Sequence, residues 1–209
     1  MSLRKEKAAR LKVQVLDHTL KLIGKKSFDD LYIDDLCAKV KISKVTLFKY
    51  FPQKEDILLY FFRIWCLTRS AELLAKPKEG LQGIYFLFDK LSEGYESHPG
   101  LMLSLVRYLS DFKRSPKPFP VKPEEKRLIF PTVQSVTSID ILSIEQMLEK
   151  FILEAIFKKE ITKNTSTRDI TNLFTTVLIG SVVTVHLQQH SNPKLFFRRN
   201  LDLTMRGLA

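Results

Sequence analysis

Lysines alternate with apolar and aromatic residues in the stretch KISKVTLFKYFPQKED, residues 41–56. Lys44 and Lys49 lie on either side of Leu47, and Phe51 follows Leu47 by one helical turn. Ammonium groups bind the phosphates of a polyanion, and apolar residues can anchor such a surface to a core. Lysines on a short helix also commonly form only its solvated face. The stretch therefore indicates either a surface for a polyanion or ordinary solvent cover over a core.

Positive charge is concentrated around this stretch. The chain of 209 residues has a formal net charge of +11, of which residues 1–70 carry +7 and the remaining residues +4. Such an excess favours an anionic partner, although it says little about fold. The N-terminal third is therefore the expected place of contact with that partner.

The elements that must position these residues are all predicted to be helices. Apolar residues recur every three to four positions, glycines number only seven, and alternating runs of Val, Ile and Thr are absent. The predicted helices cover residues 4–23, 33–40, 43–51, 54–75, 81–97, 99–112, 138–161, 166–190 and 193–207. The proline-rich stretch SPKPFPVKP, residues 115–123, is predicted to be a loop or extended link.

Residues 33–40 and 43–51 form two short predicted helices joined by a tight turn. Ser43 is a suitable N-cap for the second helix, and Pro52 prevents that helix from continuing. Two such helices, the second of them basic, suggest a helix-turn-helix that places its second helix in the major groove of DNA. The predicted organisation has three parts, a helix-turn-helix domain, a connecting helix and a larger helical domain: residues 1–53, 54–75 and 76–209.

The segment IDDLCAKVKISKVTLFKYFPQKEDIL, residues 33–58, resembles the DNA-binding signature of the TetR family of transcriptional regulators. The positions that match in register are Ser43, Thr46, Leu47, Phe51, Lys54, Glu55 and Ile57. Departures from the signature are Lys41 and Val45 in place of two glycines, Phe48 in place of a tyrosine, and Tyr50 in place of a histidine. Asp34 also stands where members often carry a hydrogen-bond donor. An acidic side chain there would be repelled by phosphates or would accept a hydrogen bond from the amino group of a cytosine.

The resemblance implies which residues contact double-stranded DNA at a roughly palindromic operator. The base-facing residues would be Lys44, Val45 and Lys49. The residues on phosphates would be Thr46, Tyr50, Lys54 and, at the start of the preceding helix, Tyr32. The residues of the packed side would be Leu36, Leu47, Phe48 and Phe51.

The resemblance also implies that the C-terminal two-thirds form a homodimer. An apolar stripe along residues 166–190 and a second one in the last helix support this expectation. The predicted interface residues are Ile170, Phe174, Val177, Ser181, Val185, Leu195 and Leu201. The alternative is that these stripes close the core of a single subunit.

A pocket for an apolar or aromatic effector is a further expectation from the resemblance. Its candidate lining residues are Tyr85, Phe88, Tyr95, Met102, Tyr108, Phe151 and Phe174. Aromatic residues at helical spacing are, however, more often simple core. The expected protein is thus a cytoplasmic repressor released by an effector, or else a TetR-like ligand-binding or interaction protein that has lost operator binding.

Other classes of protein are disfavoured by the sequence. It contains no glycine-rich phosphate loop, nucleophile elbow or convincing Ser/His/Asp order, so we predict no enzyme activity and no cofactor. His186 and His190 lie one turn apart without acidic or Cys companions, so we predict no metal site. Residues 170–193 carry no formal charge, but Asn172, Ser181 and several threonines interrupt them, which favours a buried helix over a membrane span.

Overall fold

The computed structural model describes residues 3–111, 113, 119–133 and 135–208, and within them it contains ten α-helices and no strand. The predicted all-α fold is confirmed. The helices are α1 (Leu3–Ile23), α2 (Ile33–Val40), α3 (Lys44–Tyr50), α4 (Asp56–Ala75), α5 (Gly80–Ser97), α6 (Pro99–Leu109), α7 (Pro123–Ile129), α8 (Ile144–Phe157), α9 (Thr167–Leu187) and α10 (Pro193–Arg206). Two short 3-10 turns, Phe28–Asp30 and Val136–Ser138, complete the regular structure.

The helices cluster into two compact units. The N-terminal unit contains the residues up to Ala71 together with Ser104–Ile141, and the C-terminal unit contains Glu72–Leu103 together with the residues from Leu142 onwards. In the N-terminal unit, α1 packs against α2 and α7, and α2 packs against α3. This packing buries one face of each short helix and leaves the other face of α3 in solvent.

The short helix α7 was not predicted from the sequence. It begins with Pro123 in its first turn, where a missing N–H costs nothing, and Glu124 and Glu125 in that turn complement the positive end of the helix dipole. Residues 119–122 of the proline-rich link precede it without helix, and residues 115–118 lie outside the described residues.

In the C-terminal unit, α5 packs against α8 and α10, and α9 packs against α8 and α10. Helix α8 is shorter than the predicted 138–161 because a capping box fixes its start and a left-handed residue follows its end. At its start Ser143 Oγ accepts from the backbone N–H of Gln146 at 3.1 Å, and Gln146 Oε1 accepts from the N–H of Ser143 at 2.8 Å. At its end Lys159 adopts a left-handed conformation with φ 58°.

Helix α9 is the one helix of the described chain that is long and apolar enough to cross a membrane by length and composition alone. Ile170, Phe174, Leu178 and Val182 on one of its faces are buried in the C-terminal unit. A helix that covers the core of a globular unit meets the same criteria. The packing therefore favours the predicted buried helix, although α9 also has an exposed apolar face.

Candidate nucleic-acid interface

The turn between α2 and α3 is made by Lys41 in the left-handed conformation, with φ 60° and ψ 48°. Its backbone N–H donates to the carbonyl of Ala38 at 3.3 Å, and the N–H of Ile42 donates to Cys37 at 3.0 Å. These bonds end α2 and turn the chain within two residues. A side chain in this conformation costs about 1–2 kcal/mol relative to the right-handed region, which explains why a glycine would be preferred here.

Ser43 caps α3, as its position in the sequence predicted. Its hydroxyl accepts from the N–H of Thr46 at 3.2 Å and lies 3.0 Å from the hydroxyl of Thr46. The cap fixes where α3 begins. It thereby fixes which side chains of α3 face outward.

The inner side of α3 is formed by Leu47 and by Phe51 just after the helix, both almost fully buried. Phe51 stacks on Phe119 with ring centroids 5.4 Å apart and meets Tyr60 edge-on at 5.6 Å. The prediction that Phe48 belongs to this core is wrong, since its side chain is 40% exposed. At about 100° per residue, position 48 falls on the face of Lys44, one turn earlier, rather than on the face of Leu47.

The outer side of α3 carries the predicted base-facing residues. Lys44 and Lys49 are exposed, and Val45 is 82% exposed. Tyr32, at the N-cap position of α2, is also exposed, and Tyr50 is half-buried. The fold therefore places Lys44, Val45 and Lys49 together in solvent, with the packed side chains on the opposite face.

An ion pair on this outer surface was missed by the sequence reasoning. The Lys44 ammonium lies 2.7 Å from the carboxylate of Asp34 in the first turn of α2. The hydrogen bond to Asp34 raises the pKa of Lys44, so Lys44 remains charged at neutral pH. Opposite charges in the first turns of two consecutive short helices were the available signal.

Lys54 has a different environment from the other lysines. Its ammonium donates to the backbone carbonyl of Asp29 at 3.1 Å and lies 5.0 Å from the centre of the Phe28 ring. Burial lowers the pKa of Lys54. Arg107 holds the Asp29 carboxylate through two hydrogen bonds of 2.6 Å, which lower the pKa of Asp29. A phosphate contact by Lys54 stays a prediction.

Comparisons with known proteins agree with this arrangement. Residues 15–61, which span α2 and α3, match the sequence profile of "Bacterial regulatory proteins, tetR family". The predicted resemblance to the TetR family is confirmed. Among curated proteins, no sequence matches the chain.

Solved structures similar to this chain include two regulators with the TetR-like fold. The transcriptional regulator FadR from Bacillus subtilis, in complex with stearoyl-CoA, is 14% identical with a TM-score of 0.64, over 94% of this chain and 99% of that chain. A TetR transcriptional regulator from Rhodococcus sp. RHA1 is 13% identical with a TM-score of 0.59, over 98% and 100% of the respective chains. At these identities the likeness shows the fold. The matched family and these two neighbours are regulators rather than enzymes.

The predicted effector-pocket residues of this TetR-like chain are placed mostly inside the packed helices. Phe88 and Phe174 meet edge-to-face at 6.4 Å, and a side-chain carbon on Gly83 would lie only 2.2 Å from the ring of Phe151. Tyr95 and Met102 are buried, and the hydroxyl of Tyr85 donates to Asp202. Tyr108 borders a surface cavity of about 460 Å³ in the N-terminal unit.

The predicted dimer-interface residues divide into two groups. Those buried within the single subunit are Ile170, Phe174, Ser181, Val185 and Leu201, while Val177 is half-buried and Leu195 is exposed. Ser181 accepts a hydrogen bond of 3.0 Å from Asn200, which joins α9 to α10. The large apolar side chains left exposed on these two helices are Leu173, Ile179, Leu187, Leu195 and Leu203. Most of the predicted residues therefore pack within one subunit, Leu195 faces outward with the other exposed side chains, and an interface between subunits stays a prediction.

Proposed function

We propose that this chain is a cytoplasmic, homodimeric transcriptional regulator that binds a roughly palindromic operator and is released from it by a small-molecule effector. The observation that carries the proposal is the division of α3 into two sides. Leu47 fixes the helix to the unit, while Lys44, Val45 and Lys49 stand together in solvent. In a helix-turn-helix of this kind α3 enters a major groove, and the lysines contact bases and phosphates.

The exposed apolar side chains of α9 and α10 support a homodimer. Leu173, Ile179 and Leu187 on α9, with Leu195 and Leu203 on α10, offer an uncovered apolar surface on two helices that already pack together. Such a surface is typical of a subunit interface, and a two-fold axis would bury the same residues twice. Two reading helices would then meet half-sites whose centres lie one helical turn of DNA, or a multiple, apart.

The proposed effector is an apolar or aromatic small molecule held among the helices of the C-terminal unit. Stearoyl-CoA, the ligand of the FadR neighbour, is a suitable first probe because it presents a long apolar chain. An effector can release DNA only if it binds the free arrangement of the dimer more tightly than the DNA-bound one. Release of labelled operator by stearoyl-CoA, but not by coenzyme A alone, is the expected outcome for a ligand of this class.

A gel-shift titration against DNA from the chain's own promoter region tests the DNA-binding proposal. We expect a specific complex whose affinity falls with salt, and Lys44→Ala with Lys49→Ala should flatten the slope by about 0.9 per lost phosphate contact. Lys150→Ala with Lys194→Ala removes the same charge from the C-terminal unit and serves as the matched control. A complex with no sequence preference and an unchanged slope would favour the alternative, a TetR-like interaction protein without an operator.

A further inference from the structure

The pairing of Asp34 with Lys44 adds little to folding stability beyond the favourable position of Asp34 in the first turn of α2. The two side chains are 75% and 55% exposed, respectively, and exposed pairs contribute little to folding. They lie on the outer surface beside Val45, where a DNA-binding protein meets a polyanion. An acidic residue there weakens attraction to phosphates, so its presence calls for a favourable contact elsewhere on DNA.

The chemistry of the major groove limits what a carboxylate can contact. Asp34 is acceptor-only when ionised, and phosphates and most base-edge atoms are acceptors as well. The donors available in the groove are the N4 amino group of cytosine and the N6 amino group of adenine. A carboxylate held beside the reading helix is therefore matched to one of these two amino groups.

The ammonium of Lys44, which is paired with Asp34, decides between cytosine and adenine as the base that Asp34 contacts. A G·C pair presents the O6 and N7 acceptors of guanine next to the N4 donor of cytosine, and O6 and N4 are about 2.9 Å apart because they are hydrogen-bonded to each other. The Lys44 nitrogen and the Asp34 oxygen are 2.7 Å apart, so one donor and one acceptor lie at nearly the same spacing as O6 and N4. In an A·T pair the donor lies between two acceptors, so a carboxylate on N6 would face an acceptor on both sides.

We propose that Asp34 and Lys44 act as one unit that reads a G·C base pair in each half-site. Lys44 donates to O6 and N7 of guanine, and Asp34 accepts from N4 of the cytosine paired with it. This inference rests on the proposed function and makes Asp34 a specificity-determining residue. Because Asp34 offsets the charge of Lys44, it also weakens binding to DNA that lacks the G·C pair.

Selection from a random pool of DNA duplexes by the full-length protein, followed by measurements on single-base-pair variants of the selected operator, tests the inference. For the wild type we expect one G·C pair per half-site whose replacement costs about 5- to 150-fold in affinity. Asp34→Ala and Lys44→Ala should each abolish most of this preference, and the double variant should lose little more. Asp34→Ala should also bind unrelated DNA more tightly than the wild type.

Asp35→Ala is the matched control, since it removes the same charge from the same turn of α2 and should leave the G·C preference intact. Denaturation midpoints of all variants show whether they are folded. If Asp34→Ala changes affinity equally for every base pair, or if the affected pair is A·T, the inference is wrong while the proposed function stands. A pool that yields no preferred sequence contradicts the proposed function, and the inference falls with it.

Discussion

The N-terminal unit contains two lysine–carboxylate pairs of similar geometry and opposite exposure. Lys12 and Glu125 are 3.1 Å apart, and their side chains are 8% and 1% exposed. Lys44 and Asp34 are 2.7 Å apart on the outer surface. The chemistry of the two pairs is the same, so burial alone must decide what each pair can do.

The buried pair holds α7 against α1. The Lys12 ammonium donates to Glu125 and lies 3.5 Å from the carbonyl of Pro120, with the ring centres of Tyr60 and Phe119 at 5.1 and 4.7 Å. Burial lowers the pKa of Lys12, and the attraction of Glu125 opposes this shift. If either group left its partner, the other would remain as an uncompensated buried charge. The exposed pair has no such constraint, so its members can exchange partners with DNA.

The largest expected effect comes from breaking the buried pair. Glu125→Gln leaves the Lys12 charge in a buried site, and we expect a loss of about 3–5 kcal/mol in the free energy of unfolding. Replacing both residues, as Lys12→Met with Glu125→Leu, should cost much less because no charge is left without its partner. Urea denaturation at neutral pH measures both variants. A single variant as stable as the wild type would show that the pair is not buried in solution.

Burial of a thiol should also make the stability of the N-terminal unit fall at alkaline pH. Burial raises the pKa of the Cys66 thiol from 9.0 to about 12, so the folded state binds a proton that the unfolded state releases. The contribution of the protonated Cys66 thiol to the free energy of unfolding is complete below pH 9. It should decline by about 1.4 kcal/mol per pH unit from there toward pH 12.

Cys66→Ala should remove most of this decline, whatever its effect at neutral pH. Cys37, whose pKa is also raised by burial, provides the comparison, and Cys37→Ala should remove less of the slope. The check is the free energy of unfolding at several pH values between 8 and 11. If the free energy of unfolding falls equally steeply with pH in wild type and Cys66→Ala, the decline does not come from Cys66.

A smaller effect is expected at the turn on the exposed side. Lys41→Gly removes the left-handed strain and should stabilise the protein by about 1 kcal/mol, partly offset by the greater freedom of glycine when unfolded. Lys39→Gly, inside α2, is the control and should destabilise by about 1 kcal/mol. Thermal denaturation of the two variants distinguishes a conformational effect from the loss of a lysine. Equal shifts for both would argue against strain at Lys41.

The smallest expected effect on stability is that of the exposed pair. Lys44→Ala and Asp34→Ala should leave the denaturation midpoint unchanged, because water replaces each partner. The same two substitutions should change DNA binding strongly. A marked loss of stability in either variant would show that the exposed pair stabilises the fold as the buried pair does.

Local sequence patterns predicted the reading helix well. The spacing of Leu47 and Phe51, the cap at Ser43 and the stop at Pro52 are all local signals, and the structure reproduces them. The resemblance implied that Phe48 belongs to the core, whereas its angular position on α3 places it outside. Helix α7 has local start signals in Pro123 and the two glutamates that follow, but its seven residues are too few for a periodic apolar pattern, and its contact with α1 joins residues 113 positions apart.

The C-terminal helices show a second limit of prediction from sequence. The spacing of Ile170, Phe174 and Val185 correctly identifies one apolar face of α9. Periodicity cannot tell whether such a face meets its own subunit or a partner, because both surfaces are apolar. The structure buries this face within one subunit and leaves Leu173 and Ile179 outside. Likewise, the pairing of Asp34 with Lys44 depends on how α2 crosses α3, which spacing alone does not specify.

Methylation protection by dimethyl sulfate on the selected operator is the decisive test of major-groove reading by α3, because it reports access to guanine N7 in that groove. We expect one protected guanine in each half-site, with the two sites one helical turn or a multiple apart, and loss of both protections in Lys44→Ala. A bound operator in which every guanine N7 remains accessible, or in which Lys44→Ala leaves the protections unchanged, would contradict major-groove reading by this surface.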